Sequence, residues 1–114
     1  MDILVGNVGA KNLLYRNDGV GNFIEVKGTS IGEGLGQTRG VMWADLDGNG
    51  LLDAVIVNGV SSGTHYNEIH MNRGGAVFRE VKGTSLTSAY VASDGTETVA
   101  VALGDFDNDG ASDI

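Results

Sequence analysis

The stretch Asp45-Leu46-Asp47-Gly48-Asn49-Gly50-Leu51-Leu52-Asp53 decides how this chain is read, because it crowds oxygen-bearing side chains into one tight turn. These side chains stand at loop positions 1, 3, 5 and 9, and Leu51 at position 7 can lend a backbone carbonyl. Hard cations such as Ca²⁺ take about six to eight oxygen ligands at roughly 2.3–2.6 Å. Carboxylates about 4 Å apart repel by roughly 1 kcal/mol in water, so such crowding favours a bound cation. The pattern predicts a calcium loop.

A near copy, Asp105-Phe106-Asp107-Asn108-Asp109-Gly110-Ala111-Ser112-Asp113, lies at the C-terminal end of the sequence, with Ala111 at position 7. Asp-Gly and Asn-Gly pairs are also ordinary turn formers, but two loops with identical spacing favour the metal interpretation. An EF-hand fits less well, because it needs a Glu at position 12 and flanking helices. Position 12 of the first loop is Ile56, inside an apolar run. We therefore predict calcium loops between strands.

Composition narrows the class of protein. The 114 residues form one small domain or a piece of a larger protein, with a formal net charge of −8 and no cysteine. That charge argues against a nucleic-acid partner, which needs clustered Lys and Arg. Nothing resembles a membrane span of about 20 apolar residues, so no membrane insertion is expected. The N-terminal residues lack the features of a secretory signal, so export is specified elsewhere or the chain is excised, mature or incomplete.

The sequence repeats itself once. Four pairs of segments correspond: Asp2–Asn7 with Asp53–Asn58, Asn12–Gly19 with Asn67–Gly74, Phe23–Ser30 with Phe78–Ser85, and Val41–Ala44 with Val101–Gly104. Asp2 consequently aligns with position 9 of the calcium loops. Such a fixed-period repeat is the mark of a repeat architecture.

Each unit is predicted to contain four short strands, because runs rich in Val, Ile, Leu and aromatic residues alternate with Gly, Asn, Asp and Ser. The predicted strands are 40–44, 53–57, 67–72 and 77–82, with the counterparts 2–6, 12–17, 22–27 and 98–104. No stretch has a helical period. The segment 28–40 and its counterpart from 83 to about 98 are predicted to be surface loops between units.

The chain resembles the FG-GAP/VCBS repeats of integrin α-subunits and of many bacterial surface and secreted proteins. The segments that show this resemblance are Gly104–Gly110, Ala44–Gly50, and Asn12–Asn17 followed by Phe23. The resemblance implies an all-β fold of β-propeller blades, each with four antiparallel strands, at about two repeats per chain. It also implies Ca²⁺ in the loop between the first and second strands. One ion would be held by Asp45, Asp47, Asn49 and Asp53, and another by Asp105, Asp107, Asp109 and Asp113.

The chain departs from that family in two ways. Asn49 stands where an acid is common at position 5, which predicts a weaker first site. Two repeats are also too few, since propellers have about 4–8 blades. We expect a partial blade and a connecting loop in 1–39, a complete blade and loop in 40–97, and the start of a further or shared blade in 98–114. Strand 98–104 of one copy would complete the blade of the next in a homotrimer or homotetramer, or the chain is part of a longer propeller.

The function expected is a calcium-stabilised binding or assembly module of a secreted or cell-surface protein, located extracellularly, in the periplasm or at the cell surface. Two alternatives stay open: a lectin-like glycan-binding propeller and an accessory domain of a larger extracellular enzyme. The chain itself is expected not to be an enzyme, since no catalytic motif is present. His65 and His70 lack a zinc pattern, and His70 is expected to pack within a blade. Trp43 is expected in the core, whereas Tyr66 and Tyr90 are the candidates for ligand contact.

Overall fold

The computed structural model describes residues 1–33, 36–59, 66–82 and 100–114, and these residues form strands, turns and a single 3₁₀ turn, Ser30–Gly32. The strands are Ile3–Val5 (β1), Val8–Ala10 (β2), Leu13–Asn17 (β3), Phe23–Val26 (β4), Gly36–Ala44 (β5), Asp53–Asn58 (β6), Glu68–Asn72 (β7) and Phe78–Val81 (β8). The predicted all-β class is confirmed. No helix in the described part of the chain has the length and apolar character of a membrane span.

The strands form two antiparallel sheets. In the larger sheet, β5, β6, β7 and β8 are neighbours in chain order, and β2 pairs with the start of β5. This four-stranded meander is the blade predicted over residues 40–82. The smaller sheet has the order β1-β3-β4 and corresponds to the second, third and fourth strands of a blade. Both sheets are consistent with propeller blades, although they do not close into a ring.

The core lies where the two sheets meet. Leu4 and Leu14 of the smaller sheet cluster with Ala54 and Ile56 of β6, and Ile31 of the 3₁₀ turn completes the cluster. The central strand β6 is buried along its whole length, as expected for the continuous apolar run that it contains. Trp43 packs against this cluster, with its ring centroid 6.0 Å from that of Phe78, as the sequence predicted.

Segment 28–40 was predicted to be a surface loop, and the structure differs from this prediction in two respects. Ile31 is only 2% exposed, because its side chain joins the core. Strand β5 begins at Gly36, and Thr38 is buried there and donates its hydroxyl to Asn58 Oδ1 at 3.0 Å. Strand β2 was not predicted, since its three residues are all exposed and include a glycine.

The predicted strand 98–104 is not a strand in the described residues. Residues 100–103 have no strand conformation, and Gly104 makes an isolated bridge to Asp113. The physical reason is a missing neighbour, because in the first unit Val41–Ala44 is held by a full ladder to β6. Residues 98 and 99 and the whole of the predicted loop 83–98 lie outside the described residues.

Candidate metal centres

The first acidic loop connects β5 to β6 and is ordered by bonds from its own backbone. Asp45 follows the last residue of β5, and its two carboxylate oxygens accept the N–H groups of Asn49 at 3.1 Å and Gly50 at 2.8 Å. Asp53, the first residue of β6, accepts the N–H of Leu46 on Oδ2 at 2.9 Å. The first and last ligand positions therefore fix the loop that lies between them.

The second acidic loop repeats these bonds from its first and last ligand positions. Asp105 accepts the N–H groups of Asp109 and Gly110, each at 3.0 Å. Asp113 accepts the N–H of Phe106 on Oδ2 at 2.9 Å. The N–H of Ser112 donates to the carbonyl of Asp45 at 3.2 Å, which places this loop beside the first one.

The backbone of the two loops also agrees at the positions that must turn sharply. Position 4 is left-handed in both, with φ of 68° at Gly48 and 61° at Asn108. Position 6 is left-handed in both as well, with φ of 82° at Gly50 and 92° at Gly110. Asn tolerates the left-handed region better than most residues other than Gly, which explains the one difference between the loops at position 4.

Three carboxylates converge in each loop. Oxygens of Asp45, Asp47 and Asp53 all lie within 4.8 Å of one another, as do oxygens of Asp105, Asp107 and Asp109. Two oxygens bound at about 2.4 Å on opposite sides of one Ca²⁺ would be about 4.8 Å apart, so each trio fits a single coordination sphere. The residues present therefore suit the ion that the sequence predicts.

The other predicted ligands, at loop positions 5, 7 and 9, do not all lie among the converging carboxylates. Asn49 Oδ1 accepts the N–H of Leu51 at 2.8 Å, and Asp109 Oδ1 accepts that of Ala111 at the same distance. Asp113 does not join the converging trio of its loop, in contrast to Asp53. Carbonyl ligation by Leu51 and Ala111 stays a prediction.

Charge is distributed unevenly around the first loop. Asp53 is 0% exposed, and among the described residues its carboxylate accepts hydrogen bonds from two backbone N–H groups, those of Leu46 and Asn72. Asp47 is exposed and lies 3.5 Å from Nη1 of Arg73, which is the one described cation at this loop. Burial of an unpaired carboxylate is costly, so a cation at Asp53 would be favourable.

A second polar cluster, which sequence reasoning missed, links the 3₁₀ turn to β7. Ser30 Oγ lies 2.8 Å from His70 Nδ1, and His70 Nε2 lies 2.8 Å from Glu68 Oε2. The residue types match a hydrolase triad, but the imidazole is 0% exposed and Ser30 Oγ also donates to the carbonyl of Phe78 at 3.1 Å. The predicted packing role of His70 is confirmed. His65 and Tyr90 lie outside the described residues, and Tyr66 is 43% exposed.

A groove separates the smaller sheet from the first acidic loop. Its lining combines apolar and polar side chains, among them Asp2, Arg16, Trp43, Leu51 and Phe78. The groove therefore lies between the two repeats rather than within either sheet. Ligand pockets often form at such a boundary between structural units.

The meander β5–β8, with an acidic loop between its first and second strands, and the smaller antiparallel sheet are consistent with blades of the β-propeller class. Comparison with known families agrees: residues 1–56 match the FG-GAP-like repeat. Over this part of its length the chain matches the FG-GAP-like repeat, and the resemblance drawn from the sequence is confirmed. The match includes Asp2 and the loop 45–53. Repeats of this family are commonly calcium-binding and generally act as non-enzymatic, extracellular binding modules.

One relative is cartilage acidic protein 1 of Xenopus tropicalis, which is 34% identical over 110 residues. The alignment covers 95% of this chain but only 16% of that relative's length. No solved structure matches the chain significantly.

Proposed function

We propose that the chain is a calcium-stabilised β-propeller module that serves in binding or assembly outside the cytoplasm. The observation that carries this proposal is the convergence of three carboxylate oxygens to within 4.8 Å in each of two loops of the same sequence pattern. The family match supports the same function, because it covers the first of these loops.

Backbone hydrogen bonds within the chain close both loops. In each, the backbone N–H groups that follow position 1 bond to its carboxylate, so the turn is closed by the chain itself. Binding therefore has to order few additional groups, which lowers its entropic cost. The remaining ligand oxygens would come from position 5, the carbonyl at position 7 and water.

The donor set selects the type of ion. All side chains at the ligand positions offer oxygen, which suits a hard cation such as Ca²⁺ and not the softer metals that prefer Cys or His. A site with about five or six protein oxygens suits Ca²⁺ better than Mg²⁺, which keeps several waters and demands a strict octahedron.

The ion would be a structural one. Asp53 bonds to Leu46 in the loop and to Asn72 at the end of β7, so calcium bound there would join three parts of one blade. Extracellular calcium modules bind at roughly 10⁻⁴–10⁻³ M. Such affinities suit a location outside the cell, in the periplasm or at the cell surface.

We assign no catalytic activity to the chain. The nearest approach to a catalytic set is the Ser30–His70–Glu68 cluster, in which the hydroxyl is bonded to a backbone carbonyl and the imidazole is enclosed. A buried network of this kind stabilises a sheet rather than meeting a substrate.

Thermal unfolding in millimolar calcium and in EDTA tests the proposal. At a calcium concentration about 100 times the Kd, one site stabilises the fold by about 2.7 kcal/mol. The variant Asp107→Asn keeps an oxygen for the N–H of Asp109, which Asp107 Oδ1 accepts at 3.1 Å, but removes the charge. We expect it to lower the Tm in calcium and to leave the Tm in EDTA nearly unchanged. Equal losses in both conditions would exclude a metal at that loop.

A glycan-binding role is a second candidate, favoured by the groove between the repeats with its exposed Arg16 and half-buried Trp43. Aromatic faces and polar side chains together are what a sugar ring needs for contact. Arg16→Ala should then abolish binding on a glycan array, whereas Arg79→Ala, on the exposed surface of β8, should not. No binding by the unaltered chain would remove this candidate.

A further inference from the structure

The imidazole of His70 is fully buried, and each of its two ring nitrogens has a polar partner. Nδ1 lies 2.8 Å from Ser30 Oγ, and Nε2 lies 2.8 Å from Glu68 Oε2. A neutral imidazole has one N–H and one bare acceptor nitrogen, whereas an imidazolium has two N–H groups. The partners therefore decide which form fits the site.

The hydroxyl of Ser30 already has an acceptor. It donates to the carbonyl of Phe78 at 3.1 Å, and a carbonyl oxygen can only accept. Because a hydroxyl has a single hydrogen, Ser30 Oγ has only lone pairs left for His70 Nδ1. Both contacts of Ser30 exist together only if Nδ1 has a hydrogen and donates it to Oγ.

The other ring nitrogen faces a carboxylate. Glu68 Oε1 accepts a hydrogen bond from Nδ2 of Asn58 at 3.1 Å, and Oε2 is left for the ring of His70. An ionised carboxylate offers only acceptors, so the 2.8 Å contact needs a hydrogen on Nε2. A protonated Glu68 would supply that hydrogen itself, and the pair would then hold the same number of protons. The hydrogen bonds therefore fit an imidazolium beside a carboxylate.

This ionisable pair is a feature of the second repeat. The aligned positions of the first repeat are Leu13 for Glu68 and Tyr15 for His70, and neither Leu nor Tyr is charged at neutral pH. A buried charge is costly unless it is paired and hydrogen-bonded. The acid and the base occur together in one repeat and are both missing from the other, as expected if each is needed for the other.

The cluster is placed where the two repeats are connected. Ser30 begins the 3₁₀ turn between β4 of the smaller sheet and β5 of the larger one, and Ile31 of this turn lies in the core. The two bonds of Ser30 reach β7 at His70 and β8 at the carbonyl of Phe78. They therefore attach the connecting turn to the second repeat.

We propose that the Ser30–His70–Glu68 cluster is a pH-sensitive switch that holds the connecting turn on the second repeat while His70 is protonated. When Nδ1 has no hydrogen, the Ser30 hydroxyl can donate to Nδ1 or to the Phe78 carbonyl but not to both. When Nε2 has none, its lone pair faces the carboxylate of Glu68. The folded state thus favours the protonated form, so this stabilisation is present at low pH and is lost as the pH rises.

Other charged groups around His70 do not share this role. In the sheet, β6 places Ala54 beside it, and β8 places Glu80 beside it. Glu80 is paired with Nζ of Lys82 at 3.1 Å. The turn Ser30–Gly32 contains no ionisable residue. The switch goes beyond the proposed calcium function and does not depend on it, because the cluster does not touch the acidic loops.

Urea unfolding at two pH values tests the switch. Glu68→Gln keeps the size of the side chain and an acceptor for Asn58, but it removes the charge that balances the imidazolium. We expect it to raise the unfolding equilibrium constant, relative to the unaltered chain, at least tenfold more at about pH 6 than at about pH 8.5. Glu80→Gln is the matched control and should have the same effect at both. A pH-independent effect of Glu68→Gln, or an equal pH dependence in the control, would overturn the switch.

Nitrogen-15 NMR of the unaltered chain gives an answer that does not require a folded variant. At about pH 6 both ring nitrogens of His70 should have a bound hydrogen. A bare ring nitrogen at that pH would overturn the switch, because the pair would then have one hydrogen for two contacts.

Hydrogen exchange shows whether the turn is what the switch releases. The N–H of Glu33 donates to the carbonyl of Ser30 at 3.3 Å, so its protection factor reports the closure of the turn. Between about pH 6 and about pH 8.5 this protection should fall at least threefold relative to that of the buried strand β6. Equal protection of the turn at both pH values would overturn its release.

Discussion

The backbone N–H of Asn58 donates to Asn67 Oδ1 at 3.0 Å, and the same bond recurs one repeat earlier between Asn7 and Asn12 at 2.9 Å. The side-chain amides repeat as well: Nδ2 of Asn58 donates to the carbonyl of Tyr66, and Nδ2 of Asn7 donates to that of Lys11, each at 2.7 Å. These paired asparagines close the turn between the second and third strands of both sheets. The internal repeat is therefore a repeat of hydrogen bonds as well as of residues.

Replacing Asn58 should destabilise the fold by about 1–3 kcal/mol, the cost of leaving buried polar partners unsatisfied. Asn58 is 1% exposed and also accepts a hydrogen bond from the hydroxyl of Thr38. Asn58→Leu therefore leaves several buried polar groups without hydrogen-bond partners. Asn7→Leu is the control, because Asn7 is only half-buried and its Lys11 bond is exposed. Urea unfolding of both variants checks the difference, and an equal loss would contradict the importance of burial.

Ser30→Ala should destabilise the fold by a similar amount, about 1–3 kcal/mol, because it leaves Nδ1 of the fully buried His70 without its partner. The loss should be the same in calcium and in EDTA, since the cluster does not touch the acidic loops. Thermal unfolding in both conditions measures it. Hydrolysis of a chromogenic ester that disappears with Ser30→Ala would instead indicate a catalytic serine.

The acidic loops and the four strands β5–β8 could be predicted from the sequence because their signals are local. Four acidic or amide side chains occur at fixed spacing around glycines in each loop, and an apolar run follows the first loop. That run is β6, which is central and buried on both faces. Burial on both faces is what a continuous apolar run predicts, so local pattern and tertiary environment agree here.

The other features depend on distant partners and leave no local pattern. Ser30 and His70 are 40 residues apart in sequence, yet they bond in the core. Segment 36–40 has the composition of a loop, but Thr38 is held by Asn12 and Asn58, which come from two other turns. The short strand β2 exists because β5 offers it an edge.

Position 4 of the acidic loops should accept Asn but not Val. Gly48 has φ of 68° and a Cβ placed there would meet no atom within 4 Å, so the cost of a side chain lies in the backbone alone. Gly48→Asn copies Asn108 and should change the Tm little. Gly48→Val should cost about 1–2 kcal/mol, the penalty of a left-handed L-residue. Thermal unfolding compares the two, and equal effects would show that the loop adopts another conformation.

Asp18 should titrate below its ordinary value. The side-chain amide of Asn22 and then the N–H of Val20 bond to its carboxylate, and these bonds lower the pKa of Asp18 from 3.8. A lowered pKa in the folded state means that its contribution to stability is present above pH 3.8 and is lost as the pH falls through the lowered pKa. An NMR titration should show the pKa of Asp18 rising in Asn22→Ala. An unchanged titration would contradict the role of the amide.

The first acidic loop should bind calcium more weakly than the second, for two separable reasons. Position 5 is Asn49 in the first loop and Asp109 in the second, and Arg73 lies 3.5 Å from Asp47, with the two side chains 50% and 31% exposed. An exposed ion pair contributes about 0.2–1 kcal/mol, so Arg73→Gln should raise the affinity of the first loop by up to about fivefold. Asn49→Asp should raise it further, because it adds a carboxylate to the coordination sphere. Calcium titration by calorimetry measures both, with Arg79→Gln as the control for loss of a positive charge. An Arg73→Gln chain that binds calcium no better than this control would show that the ion pair with Arg73 does not compete with calcium binding by Asp47.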